Sequence, residues 1–327
     1  MIKIAFFDTK PYEQDVFERY CGKDMDIKFM EHRLNSETVE SAKGCDVVCA
    51  FVNDNLDAAV MKRLNEMGVR LIAMRCAGFN NLALKELGNL RVARVPAYSP
   101  YAVAEHAMGM LLALNRKIHK AYNRTREYNF SLNGLTGVDL HGKVMGVVGT
   151  GTIGRVFVDI CRGFGLKIIA YDPYPQEGIE YTDLDTLFRE SDFISLHCPL
   201  TDDSYHLANE KRFALMKNTA ILINTSRGAL VDSVALVEAL WNRRLRAVAL
   251  DVYEEEVGYF FEDRSGEVVD DATLQLLVSM PNVLITSHQA FLTEEALSNI
   301  ACTTIGNIEE FFSKGIITHE VTYSANA

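Results

Sequence analysis

The chain has 327 residues, of which 48% are hydrophobic and 24% are charged, and its formal net charge at pH 7 is -11. This length and composition predict two globular domains of ordinary size rather than a disordered chain. The negative charge argues against a nucleic acid as a partner, and the absence of any long uncharged apolar stretch argues against a membrane protein.

The N-terminal and cysteine patterns bear on the cell compartment. The first residues, MIKIAFFD, lack the basic start, apolar run and cleavage site of a signal peptide. The seven cysteines are scattered, odd in number and without a Cys-x-x-Cys pair. We therefore expect a reduced, cytoplasmic protein with neither a disulfide framework nor a bound metal.

Strand-length apolar runs alternate with helix-period segments through the first hundred residues. The predicted strands are IKIAFFD, DIKFMEH, DVVCAF, RLIAMRCA and RVARVP, and the helices include PYEQDVFERYC and LDAAVMKRLNEMG, the second ended by Gly68. This alternation predicts βαβ units and a parallel sheet with helices on both faces. Pro96 and Pro100 break the pattern, and one long helix is predicted from Tyr101 to about Asn129.

A second alternating series follows, with the predicted strands KVMGVVG, LKIIAYD, DFISLHCP, AILINTS, RAVALDV and NVLITSH. One long helix, TEEALSNIACTTIGNIEEFFSKG, comes last, with Gly315 at its end. No strand remains for this helix to accompany, so we expect it to return to the first domain. The sequence thus predicts an α/β protein with two doubly wound parallel sheets: residues 1–99 plus 297–327 form one domain, and residues 100–296 form the other.

The sequence Gly149-Thr150-Gly151-Thr152-Ile153-Gly154 predicts a phosphate-binding turn between a strand and a helix. Its glycines suit a tight turn, a close approach of the backbone to a pyrophosphate and close helix–strand packing. Asp172 ends the next strand, where an acid accepts hydrogen bonds from a ribose. A purely structural turn is the alternative. No Arg or Lys follows Asp172 in YDPYPQEG to hold a 2′-phosphate, so the pattern favours NAD over NADP.

Three residues at the carboxyl ends of later strands suit hydride chemistry on a carbonyl, which needs a cation and an acid–base group. Arg227 follows AILINTS, Glu256 follows ALDV, and His288 ends NVLITSH. An arginine in such a place is more often exposed to solvent. A carboxylate beside the histidine would orient the imidazole and favour its charged form.

Taken together, the motifs resemble the D-isomer-specific 2-hydroxyacid dehydrogenases. The resemblance is carried by GTGTIGRVFVDICRGFGLKIIAYD, NTSRGALVD, DVYEEE, SHQAFLTEEA, RCAGFNN, VPAYSPYAVAEHA and HCPLT. The segment EEEVGYFFEDRSGE is similar to an insertion in the D-lactate dehydrogenase branch. The family implies a Rossmann NAD-binding domain inserted into a flavodoxin-like substrate domain, with a cleft that closes over the substrate and excludes water.

The resemblance assigns roles to the three catalytic candidates. Arg227 would hold the substrate carboxylate and polarise the carbonyl, and His288 would donate the proton in reduction. Glu256 would be the carboxylate partner of His288, because it is the sixth residue of DVYEEE; its neighbours Glu254 and Glu255 are not.

The resemblance also implies binding residues. The substrate contacts are expected at Phe51, Cys76, Ala77, Gly78, Tyr98, Arg227 and His288, with the amides of residues 76–78 forming an anion site. With the turn glycines, the cofactor contacts are expected at Gly149, Gly151, Thr152, Ile153, Gly154, Asp172, Cys198, Pro199, Ser204, Thr225, Ser226, Arg227 and Asp251. Relatives often have Asn at the position of Ser204. Phe51 would limit substrate size, the alternative being an ordinary core residue.

The activity implied by the resemblance is reversible reduction of pyruvate to D-lactate by NADH. The alternatives are a related dehydrogenase for a bulkier 2-keto acid or for glyoxylate, and an NAD-sensing, non-enzymatic protein of the corepressor type. We also expect a homo-oligomer, dimer or tetramer, with MGMLLALNRKIHKAY in the core and the subunit interface. His106 and His197 lie in apolar segments and are expected to pack rather than to react.

Overall fold

The computed structural model describes residues 1–79 and 81–322. Asn80 of the predicted RCAGFNN loop and residues 323–327 of the predicted first domain lie outside the described residues. The strands are β1 Ile2–Phe6, β2 Met25–Phe29, β3 Val47–Ala50, β4 Leu71–Met74, β5 Arg91–Ala93, β6 Val144–Val148, β7 Lys167–Tyr171, β8 Phe193–Leu196, β9 Ile221–Asn224, β10 Ala247–Leu250 and β11 Val283–Ile285. The α-helices are α1 Pro11–Tyr20, α2 Ala58–Glu66, α3 Pro100–Arg116, α4 Ile118–Arg126, α5 Thr152–Gly163, α6 Leu184–Glu190, α7 Glu210–Leu215, α8 Ser233–Trp241, α9 Ala272–Ser279 and α10 Glu294–Lys314.

The chain divides into two compact units. Unit 1 combines Met1–Ser99 with the chain from Leu292 onward, and unit 2 is Pro100–Phe291. The second boundary therefore falls at 291/292, against 296/297 in the prediction. It precedes α10, whose first turn is capped by the Thr293 hydroxyl accepting the Ala296 N–H.

Unit 1 contains a five-stranded sheet in the order β2-β1-β3-β4-β5, and all its pairs are parallel. This is the strand order of flavodoxin-like folds. Helix α10 packs against α1 and β4, so the last long helix returns to the sheet formed by the start of the chain.

Unit 2 contains a six-stranded parallel sheet in the order β11-β10-β9-β8-β6-β7. Tyr181 adds a single parallel bridge to Ala170 of β7, where a further strand would lie in a full doubly wound sheet. The chain order reverses between β6 and β8, which makes the gap between their carboxyl ends the expected ligand crevice. The predicted fold class is confirmed.

The strands of unit 2 are apolar because helices cover both faces of the sheet. On one face, Met145 and Val147 of β6 pack with Phe157 of α5. On the other face, Val148 packs with a cluster that includes Leu187 and Phe188 of α6. Burial on both faces fixes the register of β6 and, with it, the turn that follows.

The single helix predicted from Tyr101 to about Asn129 is wrong, because the helix breaks at Lys117. This residue is in the left-handed region, with φ 53° and ψ 38°. The Asn115 side chain donates to the carbonyl of Val138 (2.7 Å) and accepts its N–H (3.0 Å), and Lys117 Nζ donates to Thr136 O (2.8 Å). Contacts with a later segment thus offset the cost of about 1–2 kcal/mol for a left-handed residue.

Within residues 1–79 and 81–322, no helix is long and apolar enough to cross a membrane. In the same residues, no group of three or more His, Cys, Asp or Glu side chains could hold a metal ion.

The packing of β6 predicts a stability difference between two glycine substitutions in unit 2. A Cβ at Gly146 would overlap Ser191 Oγ and Leu187, whereas a Cβ at Gly109 in α3 meets nothing within 4 Å. We expect Gly146→Ala to destabilise unit 2 by about 1–3 kcal/mol through overpacking. Gly109→Ala should stabilise its helix by up to about 1 kcal/mol. Thermal unfolding midpoints of both variants check this, and equal shifts would contradict the packing described.

Candidate active site

The glycine-rich turn joins β6 to α5 and is shaped by its contacts with the end of β8. Gly149 has φ +92°, and a Cβ there would lie 2.6 Å from the carbonyl oxygen of His197. A Cβ at Gly154 would overlap the carbonyl oxygen of Gly149, while one at Gly151 meets nothing within 4 Å. Two glycines therefore permit close packing, and the third leaves open backbone where an anion can approach. Thr152 and Ile153 begin α5, where helix N–H groups lack acceptors within the helix.

A cavity of about 560 Å³ lies beside this turn, at the carboxyl ends of β6, β7 and β8. This volume is in the range of small-molecule sites. Of the predicted cofactor residues it is lined by Gly149, Gly151, Asp172, Cys198, Pro199 and Ser204. Sequence reasoning did not identify the lining residues Thr150, Tyr174, His197 and Thr201 as contacts.

The carboxylate of Asp172 lines the cavity and also stabilises the turn. Its Oδ2 accepts the Thr150 N–H (2.6 Å) and the Thr150 hydroxyl (3.1 Å), and its Oδ1 accepts the Tyr174 N–H (2.8 Å). The Thr150 hydroxyl also lies 2.8 Å from the Tyr181 hydroxyl. The position of Asp172 is therefore set by the same turn that would bind a phosphate.

Ser204 and His197 also have partners within the protein. The Ser204 hydroxyl donates to Pro199 O (2.8 Å) and accepts the Thr201 N–H (2.7 Å), which closes the loop after β8. His197 Nε2 lies 2.9 Å from Ser195 Oγ. Burial lowers the pKa of the His197 imidazole to about 3, so this side chain is neutral near pH 7. Burial also raises the pKa of the Cys198 thiol to about 11, so it stays protonated.

The side chains of His288 and Glu256 contact each other in the loops after two adjacent strands of the unit 2 sheet. His288 Nδ1 lies 2.8 Å from Glu256 Oε1, and the side chains are 22% and 18% exposed. Glu256 Oε2 accepts the Tyr253 N–H (3.1 Å), which fixes the carboxylate. Of the two neighbouring acids, Glu254 contacts His206 and Glu255 is exposed. Nε2 of His288 is thus the ring nitrogen left to exchange a proton with a ligand.

The backbone at His288 is held by Asp251. His288 has φ 52°, in the left-handed region, and its N–H donates to Asp251 O (2.7 Å). The buried Asp251 carboxylate accepts the Thr286 hydroxyl (2.5 Å) and the N–H groups of Gln289 and Ala290 (both 2.9 Å). This carboxylate therefore orders the loop that carries His288.

The same carboxylate has a fourth neighbour, His106 Nε2, 3.3 Å from Asp251 Oδ1 and 3.2 Å from Thr286 Oγ1. Burial raises the pKa of the Asp251 carboxyl, but its hydrogen bonds with His106, Thr286, Ala290 and Gln289 outweigh burial, and the pKa is lowered from its ordinary value. Asp251 thus remains ionised. Its predicted contact with a cofactor stays a prediction.

Arg227 lies on a tight loop that is packed against the chain leading to Glu256. Asn224 at the end of β9 donates to Arg227 O (2.8 Å) and accepts the Ser226 N–H (3.0 Å). A Cβ at Gly228 would overlap the carbonyl of Tyr253. Glycine at this position therefore allows the Arg227 loop and the Tyr253 backbone to touch.

The predicted substrate residues of unit 1 lie near the carboxyl ends of its central strands. Phe51 directly follows β3, is 7% exposed and donates its N–H to Asp54 Oδ2 (2.6 Å). The loop 76–78 follows β4, and Tyr98 accepts the Asn299 side-chain amide at its carbonyl (2.7 Å). Their contacts with a substrate stay predictions.

Comparison with known proteins agrees with this geometry. Residues 108–290 match the family model described as D-isomer specific 2-hydroxyacid dehydrogenase, NAD binding domain. The chain is 51% identical to the D-lactate dehydrogenase of Escherichia coli over 316 aligned residues. The alignment covers 94% of this chain and 96% of the relative. The chain belongs to the D-isomer specific 2-hydroxyacid dehydrogenase family.

Solved structures of this family have the same fold. The apo-structure of D-lactate dehydrogenase from Escherichia coli matches with a TM-score of 0.90 at 45% identity, over 98% of this chain and all of that chain. The structure of D-2-hydroxyisocaproate dehydrogenase matches with a TM-score of 0.86 at 32% identity, over 98% of this chain and all of that chain. The predictions of family, of an NAD-dependent enzyme and of NAD as cofactor are confirmed. The corepressor alternative is not supported, because these relatives are named as dehydrogenases.

This dehydrogenase contains site residues that its local sequence patterns did not reveal. Thr150 lay inside the glycine motif, so its contact with Asp172 could have been suspected. Tyr181, Thr286 and Asn224 carried no signal, because each acts on a residue distant in sequence or through its backbone. Of the other predicted cofactor residues, the cavity lining does not include Thr152, Ile153, Gly154, Thr225, Ser226, Arg227 and Asp251.

The position of Asp172 predicts a change in cofactor preference. Asp172→Ser removes a carboxylate that would repel a 2′-phosphate and would accept a hydrogen bond from a ribose hydroxyl. The ratio of kcat/KM for NADH to kcat/KM for NADPH should therefore fall about tenfold or more, which corresponds to at least about 1.4 kcal/mol. Asp203→Ser, which removes another acid of the cavity lining, is the control. A preference ratio within twofold of the parent in Asp172→Ser would exclude Asp172 as the ribose ligand.

Proposed function

We propose that this enzyme is an NAD-dependent D-lactate dehydrogenase that mainly reduces pyruvate. In the reaction, the keto carbon of pyruvate gains a hydride and the keto oxygen gains a proton, which gives D-lactate. NADH supplies the hydride when bound. The residues of the chain bind the substrate and deliver the proton, and the reverse sequence oxidises D-lactate.

The contact between His288 Nδ1 and Glu256 Oε1, at 2.8 Å, carries the assignment of the acid–base pair. Glu256 fixes the ring, so that Nε2 can give its proton to the keto oxygen. In lactate oxidation, the neutral imidazole takes the hydroxyl proton. Partial exposure of both side chains supports proton exchange with solvent between turnovers.

Arg227 is proposed to bind the substrate carboxylate through its planar guanidinium and to polarise the keto group. In unit 1, the amides of Cys76, Ala77 and Gly78 are proposed to bind the same carboxylate, with Tyr98 as a further contact. Unit 1 would thus be the substrate domain, and unit 2 contains the NAD-binding domain of the family model.

The residues around the unit 2 cavity fit NAD. Open backbone at Gly151 and the first turn of α5 suit the pyrophosphate, and Asp172 suits the adenosine ribose. The remaining predicted contacts, at Cys198, Pro199, Ser204, Thr225, Ser226 and Asp251, are proposed on the same family pattern.

Similarity favours pyruvate over larger substrates. Among the solved structures, identity to the Escherichia coli D-lactate dehydrogenase is 45%, against 32% to the D-2-hydroxyisocaproate dehydrogenase. A bulkier 2-keto acid or glyoxylate is the second candidate. The deciding assay follows NADH oxidation by the pure protein with pyruvate, glyoxylate and 2-ketoisocaproate, and determines which lactate enantiomer forms. A kcat/KM for either other acid above that for pyruvate would overturn the substrate assignment.

We also propose a cytoplasmic location and a homo-oligomer. All seven cysteines are free, as expected in a reducing compartment. Helix α4 and the segment after it expose large apolar side chains, among them Tyr128 (84%) and Phe130 (70%). Such a patch is typical of a subunit interface.

The interface proposal predicts that substitutions in the exposed apolar patch lower the mass of the particle in solution. Tyr128→Ser combined with Phe130→Ser should shift the particle toward the monomer, because two large apolar side chains leave the interface. Light scattering after gel filtration measures this. Tyr20→Ser, which changes an exposed tyrosine of unit 1, should keep the parental mass. A monomeric parent would contradict the proposal.

The His288–Glu256 pair predicts the pH dependence of both directions. Pyruvate reduction needs the imidazolium and should decline as pH rises; lactate oxidation needs neutral imidazole and should decline as pH falls. Glu256→Gln removes the negative charge beside the ring, so the decline in reduction should move to lower pH. Glu255→Gln, which changes an exposed neighbour, should leave the profile in place. An unmoved profile in active Glu256→Gln would count against the pairing.

The proposed role of Phe51 predicts that its substitution changes which size of substrate the enzyme prefers. Phe51→Leu should lower kcat/KM for pyruvate and raise it for 2-ketoisocaproate, with a combined shift on the scale of roughly 10- to 200-fold for hydrophobic pockets. Phe17→Leu changes a buried phenylalanine of α1 in the same unit and should leave the ratio unaltered. A uniform loss on both acids in Phe51→Leu would mean that this ring only supports the fold.

A further inference from the structure

A buried arginine lies at the carboxyl end of the unit 1 sheet, in a place that the reaction does not explain. Arg75 directly follows β4 and is 1% exposed. Its Nε donates to Glu13 Oε1 (2.8 Å), and one terminal nitrogen donates to Glu13 Oε2 (3.3 Å) and to Asp8 O (2.8 Å). The guanidinium is thus joined to α1 and to the loop after β1.

The same guanidinium packs against two aromatic rings. Its central carbon lies 4.4 Å from the centroid of the Phe6 ring and 4.8 Å from that of the Phe51 ring. Cation–π contact is strongest where the cation has lost its water, as it has here. The ring proposed to limit substrate size therefore lies against a cation whose own position is fixed by Glu13.

The backbone of Arg75 connects this cluster to the proposed carboxylate site. The Arg75 N–H donates to Ala50 O (3.0 Å), directly before Phe51, and the next residue along the chain is Cys76. One residue thus contacts the Phe51 ring with its side chain and begins the 76–78 loop with its backbone. A displacement of Arg75 would alter both proposed substrate contacts together.

Stability alone does not account for this pair. Burying two charges costs desolvation energy, and apolar side chains of similar volume often serve the fold as well. What an apolar replacement cannot supply is a planar, bidentate group with a fixed orientation.

We infer that Arg75 and Glu13 form a positioning pair that holds Phe51 and the start of the 76–78 loop, and so determine the enzyme's preference for small 2-keto acids. Arg75 does not touch the reacting atoms in this role; it acts through Phe51. The inference rests on the proposed function of those two substrate elements.

The first test is Arg75→Lys, which keeps the charge but loses the planar fork. The ratio of kcat/KM for pyruvate to kcat/KM for 2-ketoisocaproate should fall at least tenfold, mainly through a higher KM for pyruvate. The KM for NADH should stay within twofold of the parent, because the cofactor cavity lies in unit 2.

A second variant guards against misfolding. Arg75→Met combined with Glu13→Gln removes both members of the pair and should give the same fall in the ratio. The matched control is the exposed pair of Arg63 and Glu40 in the same unit, 2.5 Å apart. Arg63→Met with Glu40→Gln should leave the ratio unchanged.

The route through Phe51 is tested by combining substitutions. In a Phe51→Leu background, Arg75→Lys should change the ratio by less than twofold, because the ring it holds is gone. An equal loss on both keto acids, or a changed thermal midpoint with an unchanged ratio, would overturn the positioning role. Failure of the proposed substrate would look different: the parent itself would prefer the larger acid, and the effect of Arg75→Lys on the ratio would still decide the role.

Discussion

The loop that carries His288 in unit 2 is held by one buried carboxylate. Asp251 directly follows β10 and is fully buried, a position that is unfavourable for a charge unless donors surround it. Four donors or neighbours do so: the Thr286 hydroxyl, the N–H groups of Gln289 and Ala290, and His106. Three of these groups come from the loop after β11 and one comes from α3. The hydrogen bonds that satisfy the Asp251 charge therefore also hold the backbone of His288, whose φ of 52° is an unfavourable conformation for a residue other than glycine.

Parallel sheet geometry brings the other groups to the same edge. β9, β10 and β11 are neighbours, so the loops that follow them emerge side by side and carry Arg227, Glu256 and His288. The backbone contact allowed by Gly228 ties the first loop to the second. On the far side of the same sheet edge, the reversal of strand order between β6 and β8 opens the cavity at the glycine turn. One sheet thus carries both the cavity proposed for the cofactor and the pair proposed for acid–base catalysis.

The sequence was sufficient where the cause is local. Apolar runs identified the strands, since parallel strands are buried on both faces, and the glycine spacing located the turn. It was insufficient where the partner is distant. The break at Lys117 depends on Asn115 and a segment some twenty residues later, and Asp172 is tied to Thr150 across the sheet edge. In the sequence, nothing distinguishes Arg75 from an ordinary charged residue between a strand and a loop. Only the fold brings it to Glu13, 62 residues away.

The pair of His288 and Glu256 differs in burial from the pair of Arg75 and Glu13, and this difference limits what each pair can do. The pair of His288 and Glu256 keeps roughly a fifth of each side chain exposed, at 22% and 18%, so a proton can enter and leave. The pair of Arg75 and Glu13 is 0% and 6% exposed, and an arginine does not release its proton in proteins. A group that cannot titrate is suited to hold position throughout a catalytic cycle, whereas the acid–base role proposed for His288 requires a change of charge in every turnover. Solvent access therefore distinguishes the pair proposed for proton transfer in unit 2 from the pair proposed for fixed geometry in unit 1.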